Sequence, residues 1–176
     1  MIKLKQILLF FGLFFILNCS THKLPFQGNG FGGPQTKEEE NAGKDAFNTP
    51  IVFVHGYFIS ASYWELARSW FLRHGYNARE LFAITFKDIT MRTIVKEAKE
   101  LAEFVENVLQ YTKKNKVAMV AISRGGPVAR YYLKMLGGNN YVSHCVLLAS
   151  PNHGSPVASS SSLLRPKSNM LNLLNS

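Results

Sequence analysis

The chain has 176 residues, of which 47% are hydrophobic and 12% aromatic. This is enough apolar material for a packed core, which excludes a disordered protein and favours one globular domain. The formal net charge is +9, but the basic residues are scattered apart from a cluster at Lys113, Lys114 and Lys116, and no nucleic-acid-binding motif accompanies them. We therefore expect no nucleic-acid partner and interpret the basic excess as a contribution to solubility.

The first 18 residues predict an export signal. Two lysines precede an unbroken apolar run at residues 7–17, and this run is shorter than the about 20 residues that span a bilayer. A permanent membrane helix is the alternative. Residues 16–19, ILNC, resemble the lipobox of bacterial lipoproteins, although Asn18 stands where glycine, alanine or serine is usual. The resemblance implies removal of residues 1–18, lipidation of Cys19, and export to a lipid-anchored position on the bacterial cell envelope, at the outer membrane, in the periplasm or on the surface.

Residues 19–48 predict a flexible tether, because they are rich in glycine and charge and lack periodicity. Three glycines in this stretch, Gly28, Gly30 and Gly33, have the GxGxxG spacing of dinucleotide sites. Prolines flank them, whereas a nucleotide loop follows a strand and opens a helix. We expect a mobile tether without a bound nucleotide, followed by a folded domain at residues 49–176.

After Pro50, short apolar runs alternate with longer helical patterns. The runs predict strands at residues 51–54, 81–85, 117–121 and 141–149, and the patterns predict helices at about 62–74, 90–113 and 124–135. Parallel neighbours need crossovers, and continuous apolar strands are typical of sheets covered on both faces. The sequence therefore predicts an α/β fold with a parallel sheet. Cys145 lies in the last strand and is interpreted as a small buried core residue.

The segment VAMVAISRGGPVARYYL, residues 117–133, runs from a strand through a serine into a helix. A strand, a sharp turn holding serine, and a helix form a nucleophile elbow, which lifts the hydroxyl above the sheet edge. The usual pattern is GxSxG, and Ala121 is a small residue that the tight turn accepts. A plain helix N-cap at Ser123 is the alternative, but it does not explain Gly125 and Gly126, which indicate that something approaches the backbone closely. The segment predicts Ser123 as a nucleophile.

An oxyanion hole needs two backbone donors, one from the residue after the nucleophile and one from a loop after an earlier strand. Arg124 supplies the first N–H. In VHGYF, residues 54–58, the strand ends and the chain turns, and we assign the second N–H to Tyr57. His55 is a candidate base, but a histidine–glycine pair at a strand end more often shapes the loop, and we favour that role.

Three segments in order, FVHGYFISASYW, VAISRGGPVARYYL and VLLASPNHGSP, resemble the class 2 bacterial lipases, small secreted α/β hydrolases. The resemblance extends from about Pro50 to near the end of the chain. It implies a three-layer α/β-hydrolase fold and the hydrolysis of carboxylic esters of acylglycerols, in lipid catabolism, through an acyl-enzyme and without a cofactor or metal. By this resemblance Ser123 matches the nucleophile, and Tyr57 and Arg124 match the oxyanion donors.

Two features depart from the family pattern. The Arg124 side chain is a long cation where an apolar or amide group is commoner, so it would narrow the acyl site or favour an anionic substrate. The family also places an acid and then a histidine after the serine, yet no Asp or Glu follows Ser123. His144 lies in a strand, and His153 lies in a loop where the family carries a non-catalytic histidine.

From these departures we predict that the chain is the N-terminal part of a longer enzyme, with its sheet incomplete at the C-terminal edge. The strand at residues 141–149 would lack a neighbour, and the apolar residues 170–174 would have nothing to pack against. Such a chain is expected to fold poorly and to be inactive on p-nitrophenyl esters. Two alternatives remain open: a non-catalytic surface binding module on the hydrolase scaffold, and an acyltransferase or thioesterase that uses the same elbow.

Overall fold

The computed structural model describes residues 31–42, 48–87, 94–156, 158 and 163–176. Its strands confirm the four predicted ones within two residues at each end. The predicted helix at residues 62–74 is divided into a short 3-10 turn, Ala61–Trp64, and an α-helix. The strands are β1 (Ile51–Val54), β2 (Leu81–Ile84), β3 (Val117–Ile122) and β4 (Val142–Leu148), and the helices are α1 (Lys37–Asn41), α2 (Glu65–Arg73), α3 (Ile94–Thr112), α4 (Gly125–Met135) and α5 (Asn169–Asn175).

All four strands are parallel and lie in the order β2-β1-β3-β4. Side chains of β1 alternate between two apolar clusters: Val52 and Val54 pack in one with α3 and α4, and Ile51 and Phe53 pack in the other with Trp64. Because alternate side chains point to opposite faces, these clusters lie on the two sides of the sheet. The predicted layered α/β fold is confirmed, and the carboxyl ends of β1 and β3 lie side by side.

Residues 31–42, called here the N-terminal segment, pack on the edge of the sheet formed by β2. Phe31 is fully buried, its carbonyl accepts a hydrogen bond from Ala83 N at 2.9 Å, and Gly33 N donates to Leu81 O at 3.3 Å. The sequence predicts a mobile tether here, whereas a buried aromatic ring and edge pairing hold these residues against the sheet. Residues 19–30 and 43–47 of the predicted tether, with Cys19, Gly28 and Gly30, lie outside the described residues.

The C-terminal helix α5 also differs from the prediction. Leu171 and Leu174 are 1% and 5% exposed, and Leu171 belongs to the core cluster formed with α3 and α4. Two basic side chains of α4 bind the end of α5: Arg130 Nη2 donates to Leu174 O at 2.8 Å, and Lys134 Nζ donates to Ser176 O at 2.7 Å. These bonds satisfy carbonyl groups that a helix C-terminus leaves unpaired. The expectation that residues 170–174 have nothing to pack against is wrong.

Strand β4 forms the other edge of the sheet. Within the described part of the chain it pairs with β3 alone, and Val146 and Leu148 are 50% and 40% exposed, as expected for a strand that lacks a second neighbour. Cys145 is half-buried rather than fully buried, and burial raises the pKa of its thiol to about 11. None of the helices in the described ranges is both long enough and apolar enough to span a bilayer.

Candidate active site

Ser123 lies in a strained turn between β3 and α4. Its φ is +53°, a left-handed conformation that non-glycine residues rarely adopt. Its backbone N donates to Leu148 O at 2.8 Å, and its carbonyl accepts from Gly126 N at 3.0 Å. Helix α4 is capped at Arg124 without a side-chain hydrogen bond, so the plain N-cap interpretation of Ser123 is wrong. The strained turn with a half-buried serine has the geometry of a nucleophile elbow.

Glycines allow the end of β1 to approach this turn. A Cβ at Gly125 would lie 2.6 Å from His55 O and 2.8 Å from Val54 O, and a Cβ at Gly56 would lie 2.9 Å from Ser123 Cβ. A Cβ at Gly126 would overlap the side chain of Ser150. Real Cβ atoms do not approach backbone oxygens so closely, so both glycines after Ser123 are needed for packing. The prediction of a close backbone approach is confirmed, and the approaching chain comes mainly from β1.

The loop that follows β1 places two aromatic residues beside the elbow. Tyr57 and Phe58 are 39% and 90% exposed, and their ring centroids are 5.3 Å apart. The Arg124 guanidinium carbon lies 5.1 Å from the centroid of the Tyr57 ring. Within the residues that the structure describes, Tyr57 N–H has no hydrogen-bond acceptor. The structure thus brings together the two residues that the sequence assigns as oxyanion donors.

The side chain of Arg124 is buried rather than directed at solvent. It is 5% exposed and is ion-paired with Glu97, which is 4% exposed and lies in the first turn of α3. A buried, paired guanidinium is not a free cation for an anionic substrate, so that expectation from the sequence is not supported. No sequence pattern indicates this pair, because 27 residues separate its members and no motif joins them.

His55 connects the ends of β1 and β2. Its Nδ1 donates to Gly56 O at 2.8 Å, and its Nε2 accepts from Phe86 N at 3.3 Å, which requires the neutral ring. Burial lowers the pKa of His55 and the Arg124 cation adds to this, against the hydrogen bond to Gly56. Because both ring nitrogens are occupied, His55 shapes the loop, as the sequence indicates, and is not placed to act as the base.

The other histidines after the elbow do not complete a catalytic pair. His144 lies in β4 and His153 lies in the loop that follows it, and both side chains are exposed. Across residues 31–42, 48–87, 94–156, 158 and 163–176, no histidine is hydrogen-bonded to Ser123 Oγ, and no three His, Cys, Asp or Glu side chains are grouped as metal ligands. The described residues bring Ser123 together with Tyr57 and Arg124 but assign no base.

Comparison with known proteins agrees with this arrangement. A family model described as Lipase (class 2) matches residues 48–175. The solved structure of Bacillus licheniformis lipase BlEst2 in its propeptide form is 28% identical with a TM-score of 0.52, and the match covers 64% of this chain and 26% of that chain. For the mature form the identity is 26%, the TM-score 0.54, and the coverage 75% of this chain and 58% of that chain.

A more distant match shows the fold alone. Aspergillus fumigatus lipase B is 14% identical with a TM-score of 0.63, over 82% of this chain and 36% of that chain. The chain therefore spans 26% and 58% of the two BlEst2 chains and 36% of the fungal lipase. These neighbours are lipases, and the parallel sheet with helices on both faces is the α/β-hydrolase fold that the sequence predicts.

Proposed function

This chain belongs to the class 2 lipase family, and from that premise we propose that it carries the nucleophile and the oxyanion donors of a carboxylic ester hydrolase. Ser123 is the nucleophile of an acyl-enzyme, and the backbone N–H groups of Tyr57 and Arg124 bind the oxyanion. The observation that carries the proposal is the strained backbone of Ser123, with φ +53°. The loop after β1 contacts Ser123 so closely that only a glycine fits at position 56.

The reaction follows from this geometry. Ser123 Oγ bonds to the ester carbonyl carbon, its proton passes to a base, and the carbonyl oxygen becomes an oxyanion that the two N–H groups stabilise. The ester C–O bond then breaks, the alcohol leaves with a proton, and water hydrolyses the acyl-enzyme. Helix α4 begins directly after the turn, so its N-terminal dipole favours the negative charge.

The surface beside the elbow supports an apolar substrate. The exposed rings of Tyr57 and Phe58 lie on the loop that supplies one oxyanion donor, where the acyl chain or alcohol group of an ester would lie. Carboxylic esters with apolar chains, including acylglycerols, are therefore the proposed substrate class, in lipid catabolism.

A binding module on the same scaffold is the alternative that a specific observation favours, since no histidine among the described residues is hydrogen-bonded to Ser123.

The two functions are distinguished by labelling the full chain with a fluorophosphonate, with imidazole added as an external base. We expect label on the wild type and on Ser69→Ala, an exposed serine of α2, and none on Ser123→Ala. Equal labelling of Ser123→Ala and wild type, or no label on either, would overturn the hydrolase proposal. An acyltransferase or thioesterase would label in the same way and would differ in its acyl acceptor.

We also propose, from the sequence alone, that Cys19 is lipidated and anchors the protein to the cell envelope. Metabolic labelling with a fatty acid should mark the wild type and the matched control Cys145→Ala, but not Cys19→Ala. Label that persists in Cys19→Ala would contradict the anchor.

A further inference from the structure

The buried pair of Glu97 and Arg124 connects three parts of the molecule at the proposed site. Glu97 lies in the first turn of α3, and Arg124 directly follows the nucleophile at the start of α4. The Arg124 guanidinium lies over the ring of Tyr57 in the loop after β1, 5.1 Å from its centroid. One continuous chain of contacts therefore runs from α3 through one proposed oxyanion donor to the other.

The position of the guanidinium depends on its carboxylate partner. Both side chains are at least 94% buried, and a charge-assisted bond in such surroundings is strong and directional. The dipole at the start of α3 also favours the carboxylate at Glu97. Without that negative charge, the guanidinium would lose the charge-assisted bond that orients it, and its contact with the Tyr57 ring would weaken.

The backbone of Tyr57 has few other restraints. Its N–H has no acceptor within the described residues, its ring is 39% exposed, and the next residue, Phe58, is 90% exposed with φ +56°. His55 and Gly56 are held by the hydrogen bond to Phe86 and by the close contact with Ser123. The contact with Arg124 thus links the Tyr57 ring directly to the elbow, whereas the next anchor along this loop is the buried Ala61, whose N donates to Thr85 Oγ1.

We propose that Glu97 is a positioning residue for acylation, which fixes the separation of the Tyr57 and Arg124 N–H groups by holding the Arg124 guanidinium over the Tyr57 ring. This inference rests on the proposed function. Glu97 does not touch the substrate and acts through Arg124. Loss of one oxyanion donor slows catalysis about 10²- to 10³-fold, and a displacement of about 1 Å can cost about 10²-fold. Displacing the donors without removing them should therefore slow acylation about 10- to 100-fold.

The test measures the rate of fluorophosphonate labelling at Ser123, with imidazole as external base, in the full chain. Glu97→Gln should label about 10- to 100-fold more slowly than the wild type, and Glu97→Asp should recover part of the rate because it keeps the charge. The matched control is Glu39→Gln, which removes the carboxylate of the other Glu–Arg pair, distant in sequence from the elbow, and should label at the wild-type rate. Labelling of Glu97→Gln at the wild-type rate would overturn the inference.

A double variant separates positioning from stability. Glu97→Gln combined with Arg124→Gln removes both buried charges of the pair, so its thermal midpoint should lie above that of Glu97→Gln, yet its labelling should remain slow. A wild-type rate in the double variant would show that the pair serves folding alone. If these variants do not fold, Tyr57→Leu is the test, because it keeps the backbone donor and removes the exposed ring. It should label about tenfold more slowly than the wild type. A wild-type labelling rate in Tyr57→Leu would also overturn the inference. Absence of label on the wild type would instead reject the proposed function.

Discussion

Two regions of the molecule use the same set of side chains: an arginine paired with a glutamate and placed over an aromatic ring. In the N-terminal segment, the Arg68 guanidinium bonds Glu39 at 2.6 Å and lies 5.5 Å from the centroid of Phe31. At the elbow, Arg124 pairs with Glu97 and lies over Tyr57. The arginines are equally buried, with side chains 7% and 6% exposed. The two groups differ in which partner is buried.

In the N-terminal segment the ring is fully buried and the glutamate is 21% exposed. At the elbow the ring is 39% exposed and the glutamate is 5% exposed. Burial of an aromatic ring is a direct source of stability, whereas a buried ion pair loses in desolvation much of what it gains and chiefly fixes geometry. We conclude that the first group holds a segment to the domain, and that the second orients a loop.

The largest expected effect is that of removing the buried arginine at the elbow. Arg124→Ala removes the ion-pair partner of the buried Glu97 carboxylate, and breaking such a pair costs about 3–5 kcal/mol of the free energy of unfolding. Arg68→Ala should cost only about 1–2 kcal/mol, because Glu39 can hydrate. The buried Nε of Arg68, which has no hydrogen-bond partner among the described residues, is also lost. Urea unfolding followed by circular dichroism measures both. Equal losses would remove the contrast between the two regions.

A smaller effect is expected from the buried ring of the N-terminal segment. Phe31→Ala should cost about 3 kcal/mol, at the low end for a buried phenylalanine, and Glu39→Gln less than about 1 kcal/mol because its pair is partly exposed. The loss should be local, since Phe31 O accepts the hydrogen bond of Ala83 N. Hydrogen exchange should therefore accelerate at Ala83 and Gly33 but not in α4. Uniform acceleration throughout the chain would show that the segment is part of the global folding unit.

The two regions should also lose stability in different ranges of pH. Burial lowers the pKa of His55 at the elbow below 6.5, so its contribution is complete above about pH 6.5 and is lost as the pH falls through the folded pKa. In the N-terminal segment burial acts to raise the pKa of Glu39, but hydrogen bonds from Arg68 and Gln35 and the Arg68 charge lower it below 4.5 overall. Its contribution is therefore lost only at lower pH.

The free energy of unfolding of His55→Gln and Glu39→Gln, measured between about pH 4 and 8 in roughly one-unit steps, checks which region loses stability first as the pH falls. A shift of one pKa unit corresponds to about 1.4 kcal/mol. Replacing His55 should flatten the profile between its folded pKa and about pH 6.5, and replacing Glu39 should change it only below about pH 4.5. The exposed His153→Gln is the matched control. A profile that His55→Gln leaves unchanged would contradict the buried, neutral ring.

The smallest effect is that of salt. Exposed charges are screened at about 1 M salt, where the Debye length is about 3 Å, and buried pairs are screened much less. The stability difference between wild type and Glu39→Gln should therefore shrink by a few tenths of a kcal/mol at about 1 M salt, while the difference for Glu97→Gln should stay constant. Salt sensitivity of the Glu97 difference would indicate that its pair is accessible to water.

Local features of this protein could be predicted from residue patterns. The four strands follow from apolar runs such as residues 51–54, and the turn at Ser123 follows from small residues around a serine between a strand and a helix. The glycines at Gly125 and Gly126 signalled a close approach, and the structure shows what approaches: carbonyl groups of Val54 and His55, and the side chain of Ser150. These predictions succeed because backbone conformation and alternation are properties of neighbouring residues.

Contacts between distant segments could not be predicted in this way. The glycine-rich composition around Phe31 indicated a tether, yet the ring is fully buried in the core. Residues 170–174 indicated an unsupported apolar segment, yet they pack against α4 and accept hydrogen bonds from its basic side chains. Composition describes a segment by itself, whereas its packing depends on whether another element presents a complementary surface.

The sequence by itself determined the parallel sheet, the order of its elements and the place of the strained serine turn, since periodicity and small residues at a turn restrict the backbone locally. Only the tertiary structure decided that the side chain of Arg124 turns inward to Glu97 and lies over the Tyr57 ring, rather than turning outward to a substrate. The burial of Arg124, its pairing with Glu97 and its contact with Tyr57 depend on three segments: α3, the start of α4 and the loop after β1. The strand order β2-β1-β3-β4 brings these segments together. The partner of a buried cation depends on which segments come together in the folded protein, and spacing along the chain does not indicate it.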